Sequence, residues 1–124
     1  MDSGYLLFST SAELVRVPVP GFVYVEADGN YSVAYTADGA KYLLSMQLGQ
    51  VEERLANSLP AGESPFIRVG KSLIVNYEYI TNIVPPRKRL VLSDSRSFRH
   101  EVAASREALK ALKEYVERKE GRHE

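Results

Sequence analysis

The sequence predicts a mainly β domain with minor α: antiparallel β-sheets carrying one internal helix and one C-terminal helix. Three observations lead there. Short apolar runs rich in Val, Ile, Tyr and Phe recur along most of the chain, as at Phe22–Val25, Phe66–Val69 and Leu73–Val75. Turn residues separate these runs at intervals too short for a parallel crossover, so successive strands pair antiparallel. Apolar spacing changes to three and four residues in only two places, and those are the helices.

The elements follow in order. Tyr5–Phe8 and Leu14–Val17 flank Ser9-Thr10-Ser11, an opening hairpin, and Pro18, Pro20 and Gly21 punctuate its exit. Phe22–Val25 is apolar throughout and so reads as buried. Asp28-Gly29-Asn30 is a turn, since all three residue types tolerate tight or left-handed geometry. Tyr31, Val33 and Tyr35 alternate with Ser32, Ala34 and Thr36 as a half-buried strand, and Asp38-Gly39 returns the chain along Lys41–Leu44. Leu44, Leu48, Val51, Leu55 and Leu59 then mark one face of a packing helix over Ser45–Leu59, with Ser45 as N-cap and Pro60-Ala61-Gly62 ending it. Ile80–Val84 is a strand, Pro85–Arg89 a basic loop, and Leu90–Leu92 pairs across Asp94-Ser95 with Phe98–Ala103. Ser105 opens a closing helix with Ala108, Leu109, Leu112, Tyr115 and Val116 on its apolar side, and Arg118–Glu124 is a frayed polar end. Residues 1–19 are read as an N-terminal extension or hairpin, 20–116 as the domain proper and 117–124 as the tail.

Composition limits the function. At 124 residues, 44% hydrophobic and 26% charged, the chain suits one domain with one core. It has no cysteine, which excludes a disulfide framework or thiolate metal site and fits a reducing cytoplasm. The N-terminus lacks the basic and apolar regions of a signal peptide, and no apolar run could span a bilayer. Net charge is zero, but residues 1–62 carry three basic and seven acidic side chains, and residues 63–124 thirteen and nine. This asymmetry points to an anionic partner for the second half.

Catalysis finds little support. The only histidines are His123, in the tail, and His100, which reads as a solvated strand face beside Arg99 and Glu101. No phosphate-binding, dinucleotide, zinc-protease or serine-hydrolase motif is present. Glu52-Glu53 reads as the polar side of the first helix. No cofactor or metal is expected.

The stretch that organises the chain is Pro65–Ile80, where Gly70-Lys71-Ser72 interrupts an apolar run and holds a cationic, hydroxyl-bearing bend between two core strands. Alone, this bend reads either as an ordinary turn or as a contact to something outside the protein. The turn before Tyr31 and the Arg87–Arg89 cluster are equally ambiguous in isolation.

Together they resemble a family. Tyr24-Val25-Glu26-Ala27-Asp28-Gly29-Asn30-Tyr31, followed after the first helix by Phe66-Ile67-Arg68-Val69-Gly70-Lys71-Ser72-Leu73-Ile74-Val75-Asn76, is similar to the two signature segments of LytTR bacterial DNA-binding domains. Ser105-Arg106-Glu107-Ala108-Leu109 resembles their closing S-R and helix. The resemblance covers about residues 20–116, with Gly70 standing where the family's common histidine lies. It implies an elongated, LytTR-like fold of antiparallel β-sheets and sequence-specific binding of double-stranded DNA by strand-connecting loops in the major groove, by a transcription regulator of bacterial cytoplasm. A receiver domain is often fused to such domains; none lies within this sequence, so the chain is expected to be either a stand-alone regulator, which the initiating methionine favours, or the response-regulator output domain of a longer chain. The family's preference implies direct repeats, and no long apolar stripe lies outside the helices. A monomer in free solution is therefore expected, with a weak contact at Tyr115-Val116.

The residues carried over are Asn30, Arg68, Lys71, Ser72 and Arg106, with Tyr31, Gly70, Arg87, Lys88 and Arg89 around them. Lys71 suits guanine O6 and N7, and Asn30 suits adenine N6 and N7. Arg68, Ser72 and Arg87–Arg89 suit phosphates, and Arg106 is either a third contact or a solvated first-turn residue. The alternative is a β-rich protein-interaction or ligand module that keeps the fold without binding DNA.

Overall fold

The computed structural model describes residues 4–9, 11–60 and 62–121. Among the described residues there are ten strands, two α-helices and three short 3-10 turns, and the strands form antiparallel sheets, as the short-run pattern predicts. The central sheet has five strands in the order β5-β4-β3-β7-β6: β3 is Phe22–Asp28, β4 Tyr31–Thr36, β5 Lys41–Leu44, β6 Phe66–Val69 and β7 Leu73–Asn76. A hairpin of β1 (Tyr5–Ser9) and β2 (Leu14–Pro18) and a three-stranded sheet of β8 (Ile80–Val84), β9 (Arg89–Ser93) and β10 (Arg99–Ala103) complete the β structure. Helix α1 is Leu48–Asn57 and α2 is Arg106–Glu120.

The central sheet is covered on both faces, which is why its inner strands read as unbroken apolar runs rather than as alternations. Ile74 of β7 packs with Leu6, Phe8, Val15 and Val17 of the hairpin and with Leu48, Val51 and Leu55 of α1. Its neighbours Leu73 and Val75 point the other way, into Leu90, Leu92 and Val102 of the three-stranded sheet and Leu109 and Leu112 of α2. A bulge between Phe22 and Tyr24 re-aims β3, so Val23 and Tyr24 both join the second cluster while Phe22 and Val25 join the first.

Several expectations are corrected. The first helix begins at Leu48, not Ser45, and Gln47 is its N-cap. Ser45 lies in a bend after β5, and the carbonyl of Met46 accepts the Ser32 hydroxyl at 2.9 Å instead of entering a helix. The alternation in β4 is present, but Ser32, Ala34 and Thr36 are its buried set. Small side chains fit beneath α1 and the hairpin, and the hydroxyls of Ser32 and Thr36 have carbonyl partners at Met46 and Ala40. Ile67 is half-buried, because β6 is an outer strand. His100 is not on a solvated face: it is half-buried among Tyr24, Tyr35 and Phe98, ring centroids 5.4, 6.2 and 5.7 Å away. Arg118–Glu120 is helical rather than frayed, closed by Gly121 in the left-handed region with its N–H on the Glu117 and Arg118 carbonyls. Residues 122–124 of the expected tail lie outside the described residues.

Asp94 pins the β9–β10 connection. Its carboxylate accepts the backbone N–H groups of Arg96, Ser97 and Phe98 at 2.8, 2.7 and 3.1 Å, together with the Ser97 hydroxyl. The hydroxyl foremost, and then the backbone donors, hold the carboxyl far below its ordinary value of 3.8. A carboxylate depressed in the folded state contributes stability above its unfolded pKa and loses it as pH falls through the folded one. Thermal melts from about pH 5 down to about pH 2 should therefore fall more steeply for the natural chain than for Asp94→Asn. Parallel curves would show that the turn does not depend on the carboxylate.

Candidate nucleic-acid interface

Four connections meet along one end of the molecule, and backbone hydrogen bonds join them in two pairs that face each other across a groove. β3 runs antiparallel to both β4 and β7, so the end of β3 and the start of β7 share one end of the sheet. Beyond the ladder the Ala27 N–H donates to the Ser72 carbonyl at 2.9 Å, which ties the β3–β4 turn to the β6–β7 turn. The β6–β7 turn then faces the start of α2 across an open groove of about 830 Å³, lined by Gly70, Lys71 and Ser72 on one side and Ala104, Ser105 and Ala108 on the other. The Ala104 N–H in turn donates to the Lys88 carbonyl at 3.3 Å, joining the β10–α2 junction to the β8–β9 turn. The order along this end is therefore Asn30, Lys71–Ser72, Ser105–Arg106 and Lys88.

Each connection has a local cause. Gly29 at φ +64° makes the β3–β4 turn and leaves Asn30 and Tyr31 exposed. Gly70 at φ +63° turns β6 into β7, and a Cβ there would stand 3.2 Å from that of Ala108. Glycine therefore serves two needs at this position: a left-handed backbone and a close approach to α2. Val69 and Leu73 pair across the turn and are buried, so Lys71 and Ser72 project from a mount fixed at both ends. The Ser105 hydroxyl accepts the Ala108 N–H at 3.1 Å as the N-cap of α2, which places Arg106, exposed, in its first turn.

Arg68 is already engaged. Its Nη1 donates to Glu52 Oε1 at 2.8 Å and its Nη2 to the Lys71 carbonyl at 3.1 Å, so it braces the turn against α1. The pair is exposed and adds little stability; its effect is orientation. The basic loop also ends earlier than the sequence suggests. Pro85–Arg87 forms a 3-10 turn and Lys88 is left-handed at φ 54°, but Arg89 is the first residue of β9, half-buried opposite Ala103. Arg87 and Lys88 alone of the three are exposed. Asn76, which ends the signature segment, is buried and structural: its Nδ2 donates to the Phe22 carbonyl at 2.9 Å and its Oδ1 accepts the Glu78 N–H. Lys110, which the signature segments do not include, lines a cleft with Arg106, Pro85, Pro86, Lys113 and Glu114. The signal available was its i,i+4 spacing from Arg106.

The residues presented are cations, an amide, a hydroxyl and an aromatic, side-chain types chemically suited to phosphates and base edges. Among the described residues no cluster of His, Cys, Asp or Glu could hold a metal, and no helix is long and apolar enough to cross a membrane.

The sequence profile of the LytTr DNA-binding domain matches residues 12–117. The chain belongs to the LytTR family. A solved structure with the same fold is the LytTr DNA-binding domain of a putative methyl-accepting/DNA response regulator from Bacillus cereus. It is 21% identical, with a TM-score of 0.61 over 93% of this chain and 98% of that one. No curated protein matches. The matched span of this LytTR domain contains all four connections and both signature segments, so the turns described above lie within the matched DNA-binding domain.

Proposed function

We propose that this LytTR domain binds a specific DNA sequence by inserting its strand-connecting turns in the major groove, and that it acts as a bacterial transcription regulator with no catalytic step. The observation that carries this reading is the pairing of the four connections by the Ala27–Ser72 and Ala104–Lys88 backbone bonds, with Gly70 bringing one pair close to Ala108 of the other. On these supports we read Asn30, Lys71 and Arg106 as the base contacts, and Arg87, Lys88 and Ser72 as the phosphate contacts. Rigid mounting matters because a side chain that must be ordered on binding loses part of its contact energy. A domain of zero net charge can still bind DNA, because attraction depends on the face presented. Arg68 supports Lys71 from below and keeps further N–H groups for a phosphate. Copies bind direct repeats head to tail and are monomeric off DNA.

The test is the salt dependence of binding to a duplex selected from a random pool, with sedimentation of the free chain beside it. Three or four phosphate contacts should give a log–log slope of roughly −3 to −4, and the free chain should sediment as a monomer. A flat salt dependence with no selected sequence would favour an interaction or ligand module on the same fold. A tight dimer without DNA would contradict the head-to-tail arrangement.

A further inference from the structure

The N-cap of α1 is unusual and touches the proposed site. Short polar side chains dominate N-caps because they reach the N2 or N3 amide with little ordering. Here the cap is Gln47, whose backbone carbonyl accepts the N3 N–H at 3.0 Å and whose side chain faces that same N–H in a capping box, while the Gln50 side chain accepts the Gln47 N–H at 3.0 Å. The second end of Gln47 reaches across to the β3–β4 turn, where Nε2 donates to Asn30 Oδ1 at 3.1 Å. The segment that carries Gln47 is held in place by the bond from Ser32 to Met46.

Polarity fixes this chain of amides. A backbone N–H can only donate, so the end of Gln47 that faces the N3 amide is its oxygen. Its remaining end is then NH₂, which can only donate, so the atom of Asn30 that meets it must be oxygen. The Asn30 NH₂ is thereby left as the outward end of an exposed side chain.

We infer that Gln47 is a positioning residue that holds the Asn30 carboxamide donor-outward, so that this site reads a base bearing a major-groove acceptor. This rests on the assignment of Asn30 to DNA proposed above. Guanine O6 and N7, adenine N7 and thymine O4 satisfy the requirement, and the cytosine amino group does not. Adenine keeps a second contact, because one lone pair of Asn30 Oδ1 remains available.

Gln47→Glu tests this with little change of shape. A carboxylate oxygen can still accept the N3 amide, so the cap survives, and a negative charge at a helix N-terminus is favourable. The other oxygen can no longer donate, and Asn30 must turn its NH₂ inward to satisfy it, which leaves Oδ1 outward. Base preferences are read by competition among duplexes varied one position at a time, each variant being compared with itself so that the added charge cancels. Asn30→Ala first identifies the position that Asn30 reads. At that position Gln47→Glu should change which base is preferred, disfavouring the original by roughly three- to tenfold, the value of about one hydrogen bond. All other positions should be unchanged. An unaltered preferred base in Gln47→Glu, with Asn30→Ala active at that position, would overturn the role of Gln47 and leave the DNA reading intact. If Asn30→Ala alters no position, Asn30 is not a base contact and both assignments fail. Gln47→Thr, a good cap too short to reach Asn30, should relax the same position without inverting it.

Discussion

Val75→Asp is expected to abolish the folded state. Val75 is fully buried in β7, paired with Tyr24 of β3 on one side and Ile67 of β6 on the other. It packs with Leu73, Leu90, Leu92 and Leu109 where the central sheet meets the three-stranded sheet and α2. Among these side chains no cation stands ready to pair with a carboxylate. An uncompensated buried charge costs roughly 3–5 kcal/mol, a large part of a small domain's stability. Val75→Ala removes packing without adding charge and should cost less, about 1–3 kcal/mol. Circular dichroism during heating or urea titration distinguishes the outcomes. A cooperative transition retained by Val75→Asp would mean that β7 is not the centre of the core.

The second expected effect lies in DNA binding. Lys71 and Lys88 are both exposed lysines in turns, yet their supports differ. The carbonyl of Lys71 is braced by Arg68, and its turn is clamped between the buried pair Val69 and Leu73. Lys88 follows the Pro85–Arg87 turn, with its carbonyl on Ala104. A base contact discriminates among sequences, whereas a phosphate contact does not. Lys71→Ala should therefore lower affinity for the selected duplex by about 1–3 kcal/mol and relax one base position. Lys88→Ala should weaken selected and random duplexes alike and reduce the salt slope by about one. Equal loss on both kinds of DNA from both variants would make Lys71 a phosphate clamp.

Much of the fold was legible in the sequence because its main signals are local. The β6–β7 break could be read from one glycine between two apolar runs, and Ser105 as a cap from its hydroxyl before a period of three and four. What could not be read depended on packing across the sheet. β4 looked apolar on its tyrosine side, yet Ser32 and Thr36 are the buried residues because carbonyls from other segments satisfy them. His100 looked solvated between two charged neighbours, and only the fold brings Tyr24 and Tyr35 against it. The first helix lost three residues at its start because Ser32, thirteen positions before Ser45, takes the carbonyl of the residue that follows it.

The candidate site was legible as residues but not as an arrangement. Asn30, Lys71 and Arg106 could be named from two signature segments and the S-R pair. Their order along one end depends on the antiparallel register of β3 with β7 and on the Ala104–Lys88 bond, neither of which a linear pattern contains. The engagement of Arg68 by Glu52, sixteen residues away on α1, is another such fact, and so is the separation of Arg89 from the loop it follows.

The central claim is that the β6–β7 turn reads a base edge in the major groove. Replacing guanine by 7-deazaguanine deletes the N7 acceptor in that groove and leaves the phosphates and the minor groove as they were. The decisive measurement is competition binding of the natural chain and Lys71→Ala to selected duplexes carrying that replacement at the position Lys71→Ala relaxes. The natural chain should lose affinity, by roughly 1 kcal/mol for one hydrogen bond, and Lys71→Ala should lose nothing further. Equal losses in both proteins, or no loss in either, would contradict a major-groove contact by Lys71.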